Sequence, residues 1–460
     1  MEKTKELIPE NSSISISTNF EPILKKRVNP LYFLFFGLIG IIFIGSVFLW
    51  LPFAHNPGVN VSYINALFTA TSASTVTGLV VQDTHDTFNF IGQLIIYILI
   101  NLGGLGYMTI ITFFLLSKNA FGLKYALFMK ETLSLPSIGD ILKIAKKVFL
   151  TIIIFELIGV IILMILWADQ GGLSIWNAIF HASSAFNNAG FDLMGNFKSF
   201  TDYASNFWLN ATIMALIFFG GIGFIVISDS LQVLRRKKKE LTLHSKVAIV
   251  TSIILILIGA VGFFMIERNN SLENYSHGTK VLASFFQSVS ARTAGFNTID
   301  LSKISTATII LLSTLMFIGA SPGGTGGGIK TTTFAILVLW VVSAIKNKES
   351  TEVLNRRINT ETLQKALLMF FLSVITIITA TFVLSIFETF PLQRIFFEVC
   401  SAFGTVGLTT GITPMLTMGS KITLALLMLI GRMTPLALLS LISKRSRDKI
   451  KVPEEQVAVG

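Results

Sequence analysis

Four stretches decide how this 460-residue chain folds: SYINALFTATSASTVTGL (62–79), IWNAIFHASSAFNNAGF (175–191), VLASFFQSVSARTAGF (281–296) and RIFFEVCSAFGTVGL (394–408). Each is a short apolar segment that ends in a glycine. Aligned on Gly78, Gly190, Gly295 and Gly407, they share a phenylalanine ten positions earlier (Phe68, Phe180, Phe285, Phe397) and a bulky apolar residue one position later (Leu79, Phe191, Phe296, Leu408). Ser72, Ser184 and Ser401 also coincide, and Val289 stands in the corresponding place of the third copy. A period near 110 residues with matched internal positions is an internal repeat.

Between these stretches the chain is built for lipid. Mean hydropathy is +0.72, 52% of residues are hydrophobic and only 13% are charged, more apolar surface than a water-soluble chain of this length can bury. Apolar runs at 31–53, 88–116, 147–167, 205–231, 247–266, 306–345, 363–387 and 419–443 are each long enough to cross about 30 Å of hydrocarbon as helix. Eight spans follow. The net charge of +11 is distributed accordingly: 27 of the 36 Lys and Arg fall in residues 1–30, 117–147, 232–246, 346–365 and 444–460, alternate connections whose cations place both termini in the cytosol. Nucleic-acid binding is thereby disfavoured. Residues 1–30 lack the apolar core of a signal peptide and read as a cytosolic tail. Cys400 is the only cysteine, so no intrachain disulfide forms, and no Cys/His cluster offers a zinc site.

The chain therefore divides into a tail (1–30), four units (31–116, 117–231, 232–345 and 346–443) and a second tail (444–460). Each unit holds two spans with one Gly-ended segment between them, so all four units have the same orientation and their symmetry axis runs along the membrane normal. Four equivalent re-entrant segments then meet on one axis. Non-helical backbone is tolerated at membrane depth where it lines a water-filled path, and a strand containing glycine can aim carbonyl oxygens at an ion. The lining residues are Val76-Thr77-Gly78, Asn188-Ala189-Gly190, Thr293-Ala294-Gly295 and Thr405-Val406-Gly407. None carries a carboxylate, which points to a monovalent cation. A single glycine of this kind would more simply permit close helix packing; four in register do not read that way.

The second span of each unit has its own motif: LGGLGYMT (102–109), FGGIGFIV (219–226), IGASPGGTGGGIKTTT (318–333) and IGRMTPLAL (430–438). Gly103-Gly104 and Gly220-Gly221 suit packing or kink sites. SPGGTGGG cannot continue a helix, so the third inner span opens into an intramembrane loop from Ser321 through Gly323, Gly324, Thr325, Gly326 and Gly327 to Gly328. Ile329 separates Gly328 from Lys330, which excludes a phosphate-binding P-loop. Arg432 is a charge within a span and calls for a cavity or a partner; the competing readings are a snorkelling or structural arginine, and Lys330 lies nearer a helix end. Glu156 is the other membrane-embedded charge of note. The histidines, His181 among them, show no metal-ligand spacing.

With these motifs together the chain resembles the Ktr/Trk/HKT superfamily of K+ transporters, most closely the bacterial Ktr membrane subunit. The resemblance covers residues 30–460 and rests on TVTGL, NNAGF, RTAGF and TVGL, on GGLG and GGIG, on the glycine-rich loop followed by IKTTT, and on GRMTPL. It implies an all-α membrane protein of four outer-helix, pore-helix, inner-helix repeats around one pseudo-fourfold pore. It implies filter roles for the four glycines, with K+ as substrate, and a gate of the loop, Lys330 and Arg432. It further implies a homodimer on a cytosolic RCK-type ring that carries ATP or ADP, no cofactor on this chain, and Na+ as an activator. Against an enzyme stands the lack of paired carboxylates or a nucleophile with a base. A proton-coupled carrier would rest on Glu156 alone, and a purely structural membrane protein leaves the four Gly-ended segments without a use.

Overall fold

In lipid a backbone satisfies its polar groups as helix or as closed barrel, and the computed structural model of this chain is helical. It describes residues 30–104, 141–168, 175–348, 350–354 and 356–433. The N-terminal tail up to residue 29, residues 105–140 and residues 434–460 lie outside the described residues, and with them part of the second and eighth apolar runs.

Along the chain an outer helix, a short helix and an inner helix follow one another four times. The first set is Pro30–Trp50, Tyr63–Thr75 and Phe90–Gly104. The second is Ile141–Trp167, Ile175–Phe186 and Phe207–Gly221, continued by Phe224–Leu234. The third is Leu243–Glu267, His277–Ser290 and Thr306–Phe317, continued by Thr331–Ile345, and the fourth is Thr360–Phe387, Leu392–Gly404 and Met418–Met433. Local chemistry sets several starts: Ser62, Asn206, Thr242, Ser276 and Ser305 each accept the N–H three residues on, at 3.1–3.3 Å, which satisfies a donor that the first turn leaves open. One two-residue antiparallel ladder, Glu352–Val353 with Arg356–Arg357, lies in the connection between the third and fourth sets.

Val148–Trp167, Leu243–Glu267 and Thr360–Phe387 are long and apolar enough to cross a membrane unaided, and the pair Phe207–Gly221 and Phe224–Leu234 is so only if taken together. That pair is bent by 101°. The sequence read 205–231 as one span with a packing or kink site, and the break is far sharper. Gly223 adopts φ 98°, which ends the helix, and a Cβ there would press on the carbonyl oxygen of Pro322. Outer-helix residues such as Ile161, Ile165, Ile258, Ile378 and Phe382 are exposed, as a lipid-facing surface requires.

Each short helix packs against the outer helix of its own set, and each inner helix also packs against the short helix of the next set. The fourth inner helix packs against the first short helix, so the sequence of contacts closes on itself. This closure brings the ends of the four short helices together.

Candidate functional site

Each short helix delivers its chain into the same backbone path. Val76 (φ 57°), Asn188 (φ 57°), Thr293 (φ 81°) and Thr405 (φ 49°) are left-handed, and two residues later so are Gly78 (φ 86°), Gly190 (φ 69°), Gly295 (φ 85°) and Gly407 (φ 95°). The first position tolerates a side chain at some strain, whereas the second leaves no room for one. A Cβ on Gly78 would strike the carbonyl oxygen of Ala189, on Gly190 that of Ala294, on Gly295 that of Val406, and on Gly407 that of Thr77. The order of these encounters is cyclic. Four glycines therefore close a ring in which each lies against the preceding carbonyl of its neighbour.

A serine at the end of each short helix fixes the approach. The carbonyl of Ser72 accepts the N–H of Thr77 (2.8 Å), that of Ser184 the N–H of Ala189 (2.7 Å), that of Ser290 the N–H of Ala294 (2.9 Å) and that of Ser401 the N–H of Val406 (2.8 Å). Alignment on the glycines placed Val289, not Ser290, in this series. The structure corrects that register by one residue: the third strand is one residue shorter, and Phe286, fully buried like Phe68, Phe180 and Phe397, takes the place assigned to Phe285. The hydroxyls agree, since Ser184 Oγ donates to the carbonyl of Phe191 (2.6 Å) and Ser290 Oγ to that of Phe296 (2.5 Å).

The glycine-rich segment sits directly against this ring. Between Thr306–Phe317 and Thr331–Ile345 the chain is non-helical, and the hydroxyls of Ser321 and Thr331 meet at 2.8 Å to tie its two ends. Ser321 and Thr325 donate their N–H groups to the carbonyls of Gly221 (3.0 Å) and Gly220 (3.2 Å), and the Gly323 carbonyl accepts the Phe224 N–H freed by the break in the second inner helix (3.1 Å). Gly327 N–H donates to Thr405 Oγ1 (2.8 Å), and a Cβ on Gly326 would collide with the side chain of Thr293. Gly324 lies against the Gly221 carbonyl. Lys330 donates to the Gly326 carbonyl (2.6 Å), and Gly328 turns the chain back at φ 69°. Arg432 donates to the carbonyl of Thr325 in the loop and to that of Gly103 at the end of the first inner helix. The loop is thus held by the second and fourth inner helices, and through Arg432 by the first.

Glu156 lies outside this arrangement. Its Oε1 accepts from Ser183 Oγ (3.1 Å) and Asn187 Nδ2 (2.8 Å), and Asn101 Nδ2 donates to Ser183 Oγ (3.0 Å). The carboxylate therefore braces the residue next to Asn188 from behind. Sequence reasoning missed two residues in comparable positions. Glu398 lies fully buried in the fourth short helix, and His181, to which no chemistry was assigned, receives the Leu193 N–H at Nε2 (3.1 Å). A sequence signal for both existed in their place three residues before the serine.

The family model for the cation transport protein TrkH matches residues 39–450. The chain belongs to the TrkH family. Members of this family are multi-pass membrane transporters, which removes the enzyme alternative. The chain is 39% identical to the potassium/sodium uptake protein NtpJ of Enterococcus hirae over 95% of its own length and 98% of that protein. It is 38% identical to the Ktr system potassium uptake protein B of Bacillus subtilis, covering 94% of this chain and 97% of the other. The crystal structure of the potassium transporter TrkH from Vibrio parahaemolyticus superposes with a TM-score of 0.73 over 92% of this chain and 86% of that one, at 18% identity, and so shares the fold.

Proposed function

We propose that this TrkH-family chain is the pore-forming subunit of a K+ uptake system, with four repeats and eight spans around one pathway and both termini in the cytosol. The observation that carries this reading is the cyclic contact of Gly78, Gly190, Gly295 and Gly407, each beside a neighbour's carbonyl oxygen. Such a ring offers an ion oxygen ligands in place of its hydration shell and contributes no carboxylate, which suits a weakly hydrated monovalent cation. Val76, Asn188, Thr293 and Thr405 form the end of the filter nearer the loop, because Thr293 and Thr405 meet Gly326 and Gly327. Relatives named for potassium uptake at 35–39% identity support K+ as the substrate.

In this reading Ser321 to Gly328, with Lys330 and Arg432, forms a closed gate beneath the filter. The pore operates in a homodimer under a cytosolic RCK-type ring that binds ATP or ADP, and Na+ activates it. The term "Ktr system" in the names of relatives supports a partner subunit. Purified chain in liposomes tests the first step. Rb+ uptake that K+ competes away is expected, and liposomes no leakier than empty ones under an imposed inside-negative potential would overturn the proposal.

A further inference from the structure

Three residues before each of the serines that anchor the strands stand Thr69, His181, Gln287 and Glu398, all buried within the short helices. Two of them reach past the glycine ring to the chain beyond it. His181 Nδ1 lies 2.7 Å from the Asn177 carbonyl, which makes Nε2 the acceptor for the Leu193 N–H at 3.1 Å. Glu398 Oε1 accepts the Thr410 N–H at 3.0 Å and the Thr409 hydroxyl at 2.6 Å, and its Oε2 accepts the Thr413 hydroxyl at 2.7 Å. The register is the same in both: Leu193 lies three residues after Gly190, and Thr410 three after Gly407.

The other two positions lack this bond. Thr69 Oγ1 and both amide atoms of Gln287 are buried with no hydrogen-bond partner among the described residues. In the cyclic order of the ring the second and fourth strands face each other, so the clamp closes on one diagonal and is missing on the other. Glu398 has no ion-pair partner among the described residues, and its charge is met by donors from the outgoing strand alone. A buried carboxylate without a cation is tolerated where several hydrogen bonds replace its solvation.

From this we infer that Glu398 and His181 are positioning residues of the filter: each pins the chain three residues beyond its glycine and so fixes the carbonyl before that glycine at the ring, with Glu398 the stronger clamp. The inference rests on the K+-filter reading above. A residue that held only the fold would change stability and leave ion preference alone.

The test is K+ against Na+ flux in liposomes for Glu398→Leu, Glu398→Gln and, as a check on the filter reading, Gly407→Ser. Loss of the charge-assisted bonds in Glu398→Leu is expected to lower K+ preference about tenfold. Glu398→Gln, which keeps an acceptor oxygen for the Thr410 N–H, is expected to recover most of it. Should Glu398→Leu fail to insert, His181→Phe, which keeps a ring but removes the acceptor, is expected to lower preference in the same direction. Inserted Glu398→Leu or His181→Phe with unaltered preference, alongside a Gly407→Ser that has lost preference, would overturn the clamp and leave the filter standing. Unaltered preference in Gly407→Ser would remove the filter role of that strand and the clamp with it.

Discussion

Arg432 donates to the carbonyl oxygen of Thr325 with one guanidinium nitrogen and to that of Gly103 with the other, and so ties the glycine-rich loop to the first inner helix from the fourth. Hydrogen bonds to a charged donor contribute roughly 1.5–3 kcal/mol each. Arg432→Ala is therefore expected to raise flux without any cytosolic partner by about tenfold or more. Arg432→Lys should restore little, because an ammonium lacks the planar fork that spans two carbonyls. Rb+ uptake by purified variants measures both, and wild-type basal flux in Arg432→Ala would detach this residue from the gate.

The seat of the loop is equally specific. A Cβ at Gly326 has no space beside Thr293. Gly326→Val, like deletion of several loop glycines, is expected to unseat the loop and raise basal flux while the protein still inserts. Flux as low as wild type in a well-inserted Gly326→Val protein would place the closure elsewhere.

Glu156 offers a stability test. Removing its carboxylate takes the charged acceptor from the Ser183 hydroxyl and the Asn187 amide behind the second strand, which leaves Asn101 Oδ1 (3.3 Å) to the hydroxyl and the Ser183 carbonyl (3.0 Å) to the amide. Glu156→Ala should cost about 1–3 kcal/mol, and Glu156→Gln less. Thermal unfolding in detergent reads this as a lower Tm for the alanine variant; an equal Tm would mean that the polar cluster is re-satisfied by other groups.

Much of this architecture can be read from the chain because its constraints are local. Glycine is the residue type for which φ values such as those at Gly78 and Gly407 are ordinary, and five glycines with a proline rule out a helix through SPGGTGGG whatever surrounds them. The register of the third short helix is not local. Phe285 and Phe286 are adjacent and chemically identical, so only packing shows that Phe286 is the buried one and that Ser290 does the work of Ser184. The clamp was hidden for a related reason: Thr69, His181, Gln287 and Glu398 share no chemistry as types, and their equivalence appears once Leu193 and Thr410 are seen at the receiving end. At Gly223 the bend depends on the partner that receives the freed Phe224 N–H, namely Gly323 about a hundred residues away.

Assembly gives a further prediction. Detergent-purified chain is expected to run as a dimer and to capture an RCK-type ring, with flux through the pair changing between ATP and ADP. Sedimentation and pull-down with candidate rings measure it. A monomer that conducts fully and binds none of them would contradict the proposed partnership.

The central claim is that the four-glycine ring selects K+. Its most direct measurement is the K+/Na+ flux ratio of purified, liposome-reconstituted Gly78→Ser, Gly190→Ser, Gly295→Ser and Gly407→Ser variants against the wild type. Each serine puts a side chain against a neighbour's carbonyl in a backbone conformation that opposes it. The account predicts reduced K+ preference in the series, most plainly at Gly295, with insertion retained. A wild-type ratio in all four would contradict it.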